Sequence, residues 1–131
     1  MGTQDQALQE LKEGFVGAIM AGDWESAGQL ADPDFELREP AALPYGGVYK
    51  GIEGFQKCLA AIQQTHKTTR LDILDSYFTS NPDRMITEME WSGIPHATGR
   101  EHTSKVLEQY EFRDGKVLAI TLFWFNIPAY S

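Results

Sequence analysis

Ser104-Lys105-Val106-Leu107-Glu108-Gln109-Tyr110-Glu111-Phe112, then Arg113-Asp114-Gly115-Lys116, then Val117-Leu118-Ala119-Ile120-Thr121-Leu122-Phe123-Trp124-Phe125, is the stretch whose pattern decides the fold. Ser104, Val106, Glu108, Tyr110 and Phe112 alternate with Lys105, Leu107, Gln109, Glu111 and Arg113. A period of two is that of a strand with one face in the core. The second set is mostly charged, so it belongs in water, and the first set lies inside. Asp114-Gly115 is a tight-turn signal and makes the two arms a hairpin. In the second arm Ile120, Leu122 and Trp124 share one face, and Ala119, Thr121 and Phe123 the other. Both faces are apolar. One is expected to line the interior, and the other to meet a second copy, giving a homodimer through the outer sheet face, the alternative being that both faces are buried within one subunit.

Working outward, residues 69–78 and 84–91 are two further strands, turned by Asn81-Pro82-Asp83, and a longer connection over 92–103 leads to the hairpin. Nearer the N-terminus the period becomes helical. Leu8, Leu11, Phe15 and Ile19 form one stripe from about residue 5 to 21, and Asp23 is a good N-cap for a short helix over 24–31. Gly14 and Gly17 each cost the first helix roughly 1 kcal/mol relative to Ala, which predicts a closely packed neighbouring backbone. Asp32-Pro33 stops the second helix, and Phe35, Leu37 and Glu39 then share one face of a strand over 34–39. Residues 41–50 read as an ordered loop. Ile52, Phe55, Leu59 and Ile62 mark a third helix, with Cys58 buried in it and a partly positive His66 at its C-terminal end. Helices followed by a meander of strands predict one α+β domain over 1–131, a cone-shaped curved antiparallel sheet packed on three N-terminal helices.

Composition narrows the function classes. The chain has 131 residues and a formal charge of −8, with no Lys/Arg cluster, so neither nucleic acid nor an anionic membrane is an expected partner. A single cysteine excludes an internal disulfide, and no signal peptide or membrane-length apolar run is seen, so a cytoplasmic location is expected. Metal-ligand spacing, phosphate-binding glycine loops and the nucleophile elbow of serine hydrolases are absent from the sequence.

Two acids fall on apolar faces, Glu39 and Glu108. Burial raises a carboxyl's pKa, and two neighbouring carboxyls push their values apart, so one can serve as acid and the other as base. The expected pocket is lined by Phe15, Tyr45, Met89, His102, Tyr110, Ile120, Leu122, Trp124 and Asn126, and its expected occupant is a small hydrophobic ligand.

Gly22-Asp23-Trp24, Glu39-Pro40, Gly47-Val48-Tyr49-Lys50-Gly51, Asp114-Gly115-Lys116-Val117 and Phe123-Trp124 together resemble the nuclear transport factor 2-like superfamily, nearest its SnoaL-type polyketide cyclases and ketosteroid isomerases. The resemblance spans nearly the whole chain. It implies the cone-shaped fold and a cofactor-independent isomerase, cyclase or dehydratase acting on a hydrophobic carbonyl compound, or a binding domain for an apolar metabolite. Glu39 stands where the isomerases carry their general base, before a proline at the end of the first strand, and Glu108 falls where they carry an oxyanion-stabilising acid. Phe15 stands in place of the isomerases' tyrosine, and Leu122 in place of the cyclases' aspartate.

Overall fold

The computed structural model describes residues 2–130. In chain order it comprises α1 (Thr3–Met20), α2 (Trp24–Leu30), β1 (Ala31–Glu39), β2 (Gly47–Lys50), α3 (Gly51–Thr65), β3 (His66–Phe78), β4 (Arg84–Pro95), β5 (His102–Arg113) and β6 (Lys116–Trp124). The α+β architecture is as expected: three helices and one curved sheet. The six strands are ordered β2-β1-β6-β5-β4-β3.

Local chemistry accounts for the element ends. Gly22 takes a positive φ of 72° just beyond α1, and the Asp23 carboxylate accepts the Ser26 backbone N–H at 3.1 Å to start α2. Asp114 and Gly115, at φ of 51° and 72°, form the β5–β6 turn. Irregular register between β3 and β4, between β5 and β6, and between β1 and β6 bends the sheet, since each bulge increases the local twist.

Two expectations about the sheet need correction. Residues 47–50 are a strand inside the predicted loop, pairing antiparallel with β1, with Glu39 opposite Gly47. The sheet is also mixed, because β1 runs parallel to β6, with Leu37 opposite Ile120 and Arg38 opposite Thr121. The intervening chain supplies the crossover that a parallel pair requires.

The glycine expectation fails as well. A Cβ at Gly17 would meet nothing within 4 Å, and one at Gly14 only Leu30 Cδ1 at 3.5 Å. The close approach lies elsewhere. At Gly54 on α3 a Cβ would fall 2.8 Å from the Tyr49 carbonyl carbon, and at Gly93 it would fall 2.2 Å from the Trp91 ring. Glycine at these two positions seats α3 on β2 and lets the Trp91 indole lie along β4.

The main core joins Leu8 and Phe15 of α1, Phe35 and Leu37 of β1, and Met85, Tyr110, Phe112 and Ile120 of the sheet. Phe15 is entirely buried, its ring 5.5 Å from Phe35 and 6.2 Å from Phe55, so it is a core residue and not the pocket surface expected of it. A second cluster of Met89, Trp91 and Val106, flanked by Leu122 and Trp124, extends the core along β4 and β5.

The outer face of the sheet carries cross-strand ion pairs, among them Arg38–Glu111 at 3.0 Å and Lys105–Glu88 at 3.1 Å. No helix among the described residues is long and apolar enough to cross a membrane.

Candidate functional site

Strand register places the two acids on one line. Arg38 pairs with Thr121, which sets Glu39 level with Leu122; Leu122 pairs with Glu108, and Glu108 with Thr87. The row Glu39–Leu122–Glu108–Thr87 therefore crosses four strands on the inner face. The acids stand two strand spacings apart along it, about 10 Å between backbones. On one side runs the apolar row Leu37–Ile120–Tyr110–Met85, and on the other Trp124–Val106–Met89. A polar row enclosed by two apolar ones is an arrangement that packing alone does not call for.

Glu39 has no cation of its own among the described residues. Arg38, its neighbour in sequence, points outward to Glu36 and Glu111. Glu39 Oε1 is buried and has no hydrogen-bond partner among the described residues, and the same holds for Trp124 Nε1, Thr87 Oγ1 and Tyr130 Oη. Burial pushes the Glu39 carboxyl up to about 8, and the charge of Glu108 adds to the rise. The Trp124 indole N–H opposes it without closing a hydrogen bond. At neutral pH Glu39 is mostly the neutral acid.

Glu108 sits differently. The Tyr110 hydroxyl donates to its Oε1 at 3.1 Å. Burial raises its pKa, while this hydrogen bond and the Lys12 ammonium work in the opposite direction.

Lys12 of α1 is a buried-stripe residue that the sequence reading does not single out. It is only 4% exposed and makes no ion pair among the described residues. A signal for it exists: Lys12 follows Leu8 by four residues and precedes Phe15 by three, on the buried stripe of α1.

An open cleft of about 400 Å³ lies at Glu39, lined by Arg38, Pro40, Thr121, Leu122, Phe123, Trp124 and Ile127 as well. Glu108 is not part of that lining; Leu122 separates it from the cleft. Of the other expected lining residues, Met89, Tyr110 and Ile120 are buried on the inner face beside this row. Tyr45 is buried too, and burial, followed by the charge of Glu39, raises its hydroxyl pKa. His102 lies apart, in a separate cleft of about 540 Å³ with Arg100 and Glu101. Asn126 is exposed, its carbonyl 3.4 Å from His102 Nε2.

His66 also differs from its expected helix-end role. It is buried with its ring 5.0 Å from Trp91 and 5.8 Å from Tyr45, and burial lowers its pKa, so it is a neutral packing group. Cys58 is buried as expected, its thiol pushed up to about 12 chiefly by burial. No group of three or more His, Cys, Asp or Glu among the described residues is arranged to hold a metal ion.

Residues 13–120 match the model of the SnoaL-like domain. No curated protein matches the chain. Among solved structures, an NTF2-like protein from Burkholderia xenovorans superposes with a TM-score of 0.75 at 18% identity, over 91% of this chain and 89% of its own. A candidate SnoaL-like polyketide cyclase from Mesorhizobium loti gives a TM-score of 0.67 at 20% identity, over 88% and 97%. TerC, co-crystallised with polyporic acid, gives 0.72 at 18% identity, over 90% and 91%. At such identities the likeness is one of fold.

Proposed function

The chain belongs to the SnoaL-like domain family, and on that premise we propose that it is a single-domain small-molecule protein that performs acid–base chemistry on a hydrophobic carbonyl compound, as an isomerase, cyclase or dehydratase does, with Glu39 lining the cleft and Glu108 acting from behind Leu122. One observation carries the reading. Glu39 Oε1 and Trp124 Nε1 are buried without partners among the described residues, and both residues line one cleft walled mainly by apolar side chains. Unpartnered buried polar atoms cost about 1–3 kcal/mol each, and a ligand oxygen in the cleft would relieve both.

A carbonyl oxygen accepts from the Trp124 N–H and from the Glu39 carboxylic acid together, which is the polarisation that enolisation needs. Leu122 and Trp124 would hold the apolar part of the ligand. Such proton transfer proceeds without a cofactor. The polyporic acid in the TerC crystals makes that compound a reasonable first probe. Half-exposed Phe123, opposite Leu107 on the outer face, supports pairing of two copies there as part of the same reading.

The test is a thermal-shift panel of hydrophobic carbonyl compounds, followed by turnover of any binder with the wild type and with Glu39→Gln. A ligand at one hundred times its Kd adds about 2.7 kcal/mol of stability. Glu39→Gln is expected to abolish turnover while binding persists. Binding with no conversion by the wild type would instead support a non-catalytic carrier or sensor, and turnover unaffected by Glu39→Gln would remove Glu39 from the chemistry.

A further inference from the structure

Four aromatic rings run in one file inward from the Glu39 cleft. Centroid distances are 4.9 Å from Trp124 to Trp91, 5.0 Å from Trp91 to His66 and 5.8 Å from His66 to Tyr45. Trp124, at one end of the file, lines the cleft. Tyr45, at the other end, belongs to the connection that folds back on Glu39: the Leu43 N–H donates to the Pro40 carbonyl at 3.1 Å, and Gly47 pairs with Glu39.

Tyr130 is seated on this file from outside. Its ring is 6.5 Å from Tyr45, edge-on at 88°, and 6.1 Å from His66, and it packs against the main core. Its hydroxyl oxygen is buried without a hydrogen-bond partner among the described residues; the Tyr45 hydroxyl is near enough to influence it and closes no bond. The segment that delivers the ring is loosely tied. Asn126 N–H donates to Ser104 Oγ at 3.0 Å, and residues 127–130 make no hydrogen bond among the described residues. Ile127 of this segment lines the Glu39 cleft as well. A buried hydroxyl without a partner is destabilising, and release to water relieves it. Packing alone therefore retains the ring, and a better-fitting ring can replace it.

We infer that Tyr130 is a built-in occupant of an aromatic subsite, and that the ligand displacing it is a planar aryl ketone or aldehyde. The carbonyl oxygen meets Glu39 and Trp124, and the aryl ring takes the place of the Tyr130 ring against Tyr45 and His66. This rests on the proposed site and narrows its ligand from hydrophobic carbonyl compounds in general to aromatic ones. Tilted and edge-on ring pairs gain energy beyond the area they bury, which a saturated ring of the same size does not recover. Burial lowers the His66 pKa, so the subsite offers no positive charge at neutral pH and suits a neutral ring.

The probes are β-acetonaphthone and its fully saturated decalyl counterpart, which share a skeleton and a methyl ketone but differ in planarity. Exposure of the Tyr130 hydroxyl is read by acetylation with N-acetylimidazole and peptide mass mapping, with half-exposed Tyr77 and buried Tyr110 as internal standards. Turnover plays no part, so failure here is separate from failure of the proposed chemistry, which Glu39→Gln reports. Saturating β-acetonaphthone is expected to speed acetylation of Tyr130 about tenfold or more, with Tyr77 and Tyr110 unchanged. The decalyl ketone is expected to bind about tenfold more weakly. Tyr130→Phe keeps the ring and removes only the unpartnered hydroxyl, so the segment should sit more firmly and affinity for β-acetonaphthone should fall several-fold. Failure of β-acetonaphthone to bind, or Tyr130 still protected at saturation, would overturn the inference. Equal affinity for the two ketones would overturn the aromatic class, and unchanged affinity in Tyr130→Phe would remove Tyr130 as the competing occupant.

Discussion

The two ends of β1 each carry a carboxylate, and they have opposite fates. At the start, Asp32 is buried and gripped by Arg113 through two hydrogen bonds of 2.7 and 3.0 Å, which hold its pKa below the usual range. Arg113 also bonds Asp34 at 2.8 Å, tying the strand's beginning to the β5–β6 hairpin. At the far end, Glu39 has no cation among the described residues and is pushed up to about 8. One strand thus contains a carboxylate whose needs are met within the fold and another whose needs are not. A fold that pairs Asp32 so fully has the means to pair Glu39, and Arg38 is adjacent yet spent on the outer face. The unmet group marks the place where chemistry is expected.

The largest expected effect is on stability against pH. The folded state keeps the Glu39 proton that the unfolded chain releases above 4.5, so stability from this group declines from about 4.5 to about 8 and levels off beyond. The loss is on the order of 5 kcal/mol at most, since each pH unit separating the folded and unfolded pKa values is worth about 1.4 kcal/mol. Urea denaturation across that range should show the decline in the wild type, and Glu39→Gln should remove it.

Asp32 behaves with the opposite sign. Its folded pKa is depressed, so its contribution is present above 3.8 and disappears as pH falls through the lower folded value. Arg113→Met should make Asp32 resemble Glu39: neutral-pH stability falls, and the acid limb of the unfolding profile moves to higher pH. Because the Arg113 side chain is half exposed, solvent screens part of the interaction and the effect is expected to be smaller than at Glu39. The smallest change belongs to Trp124→Phe. Loss of the indole N–H removes an influence that lowers the Glu39 pKa, and its midpoint should climb by under about one pH unit, read by carboxyl-carbon NMR titration.

Much of this is legible in the residues. Period two puts Glu108 among Val106, Tyr110 and Phe112, and all three of those are buried. The same alternation puts Glu39 with Phe35 and Leu37. Hidden features are those that depend on distant partners. The parallel pairing of β1 with β6 joins segments far apart in sequence, and no local pattern reports it. β2 is four residues long, follows Pro44 and Gly46 and begins at Gly47, and that turn chemistry obscures it. Helix-end electrostatics suggest a charged His66, but burial against Trp91 outweighs the helix dipole. Lys12 escapes notice because a lysine on an apolar stripe invites reading the stripe around it.

The protonation state of Glu39 in the wild-type protein is the most direct test of an acid left unmet by its own fold. Infrared difference spectra between wild type and Glu39→Gln isolate the carboxylic-acid C=O band of this residue and follow it with pH. The expected result is a protonated carboxyl at neutral pH whose band disappears with a midpoint of about 8. A midpoint near the ordinary 4.5 would place Glu39 in water and contradict the proposed chemistry.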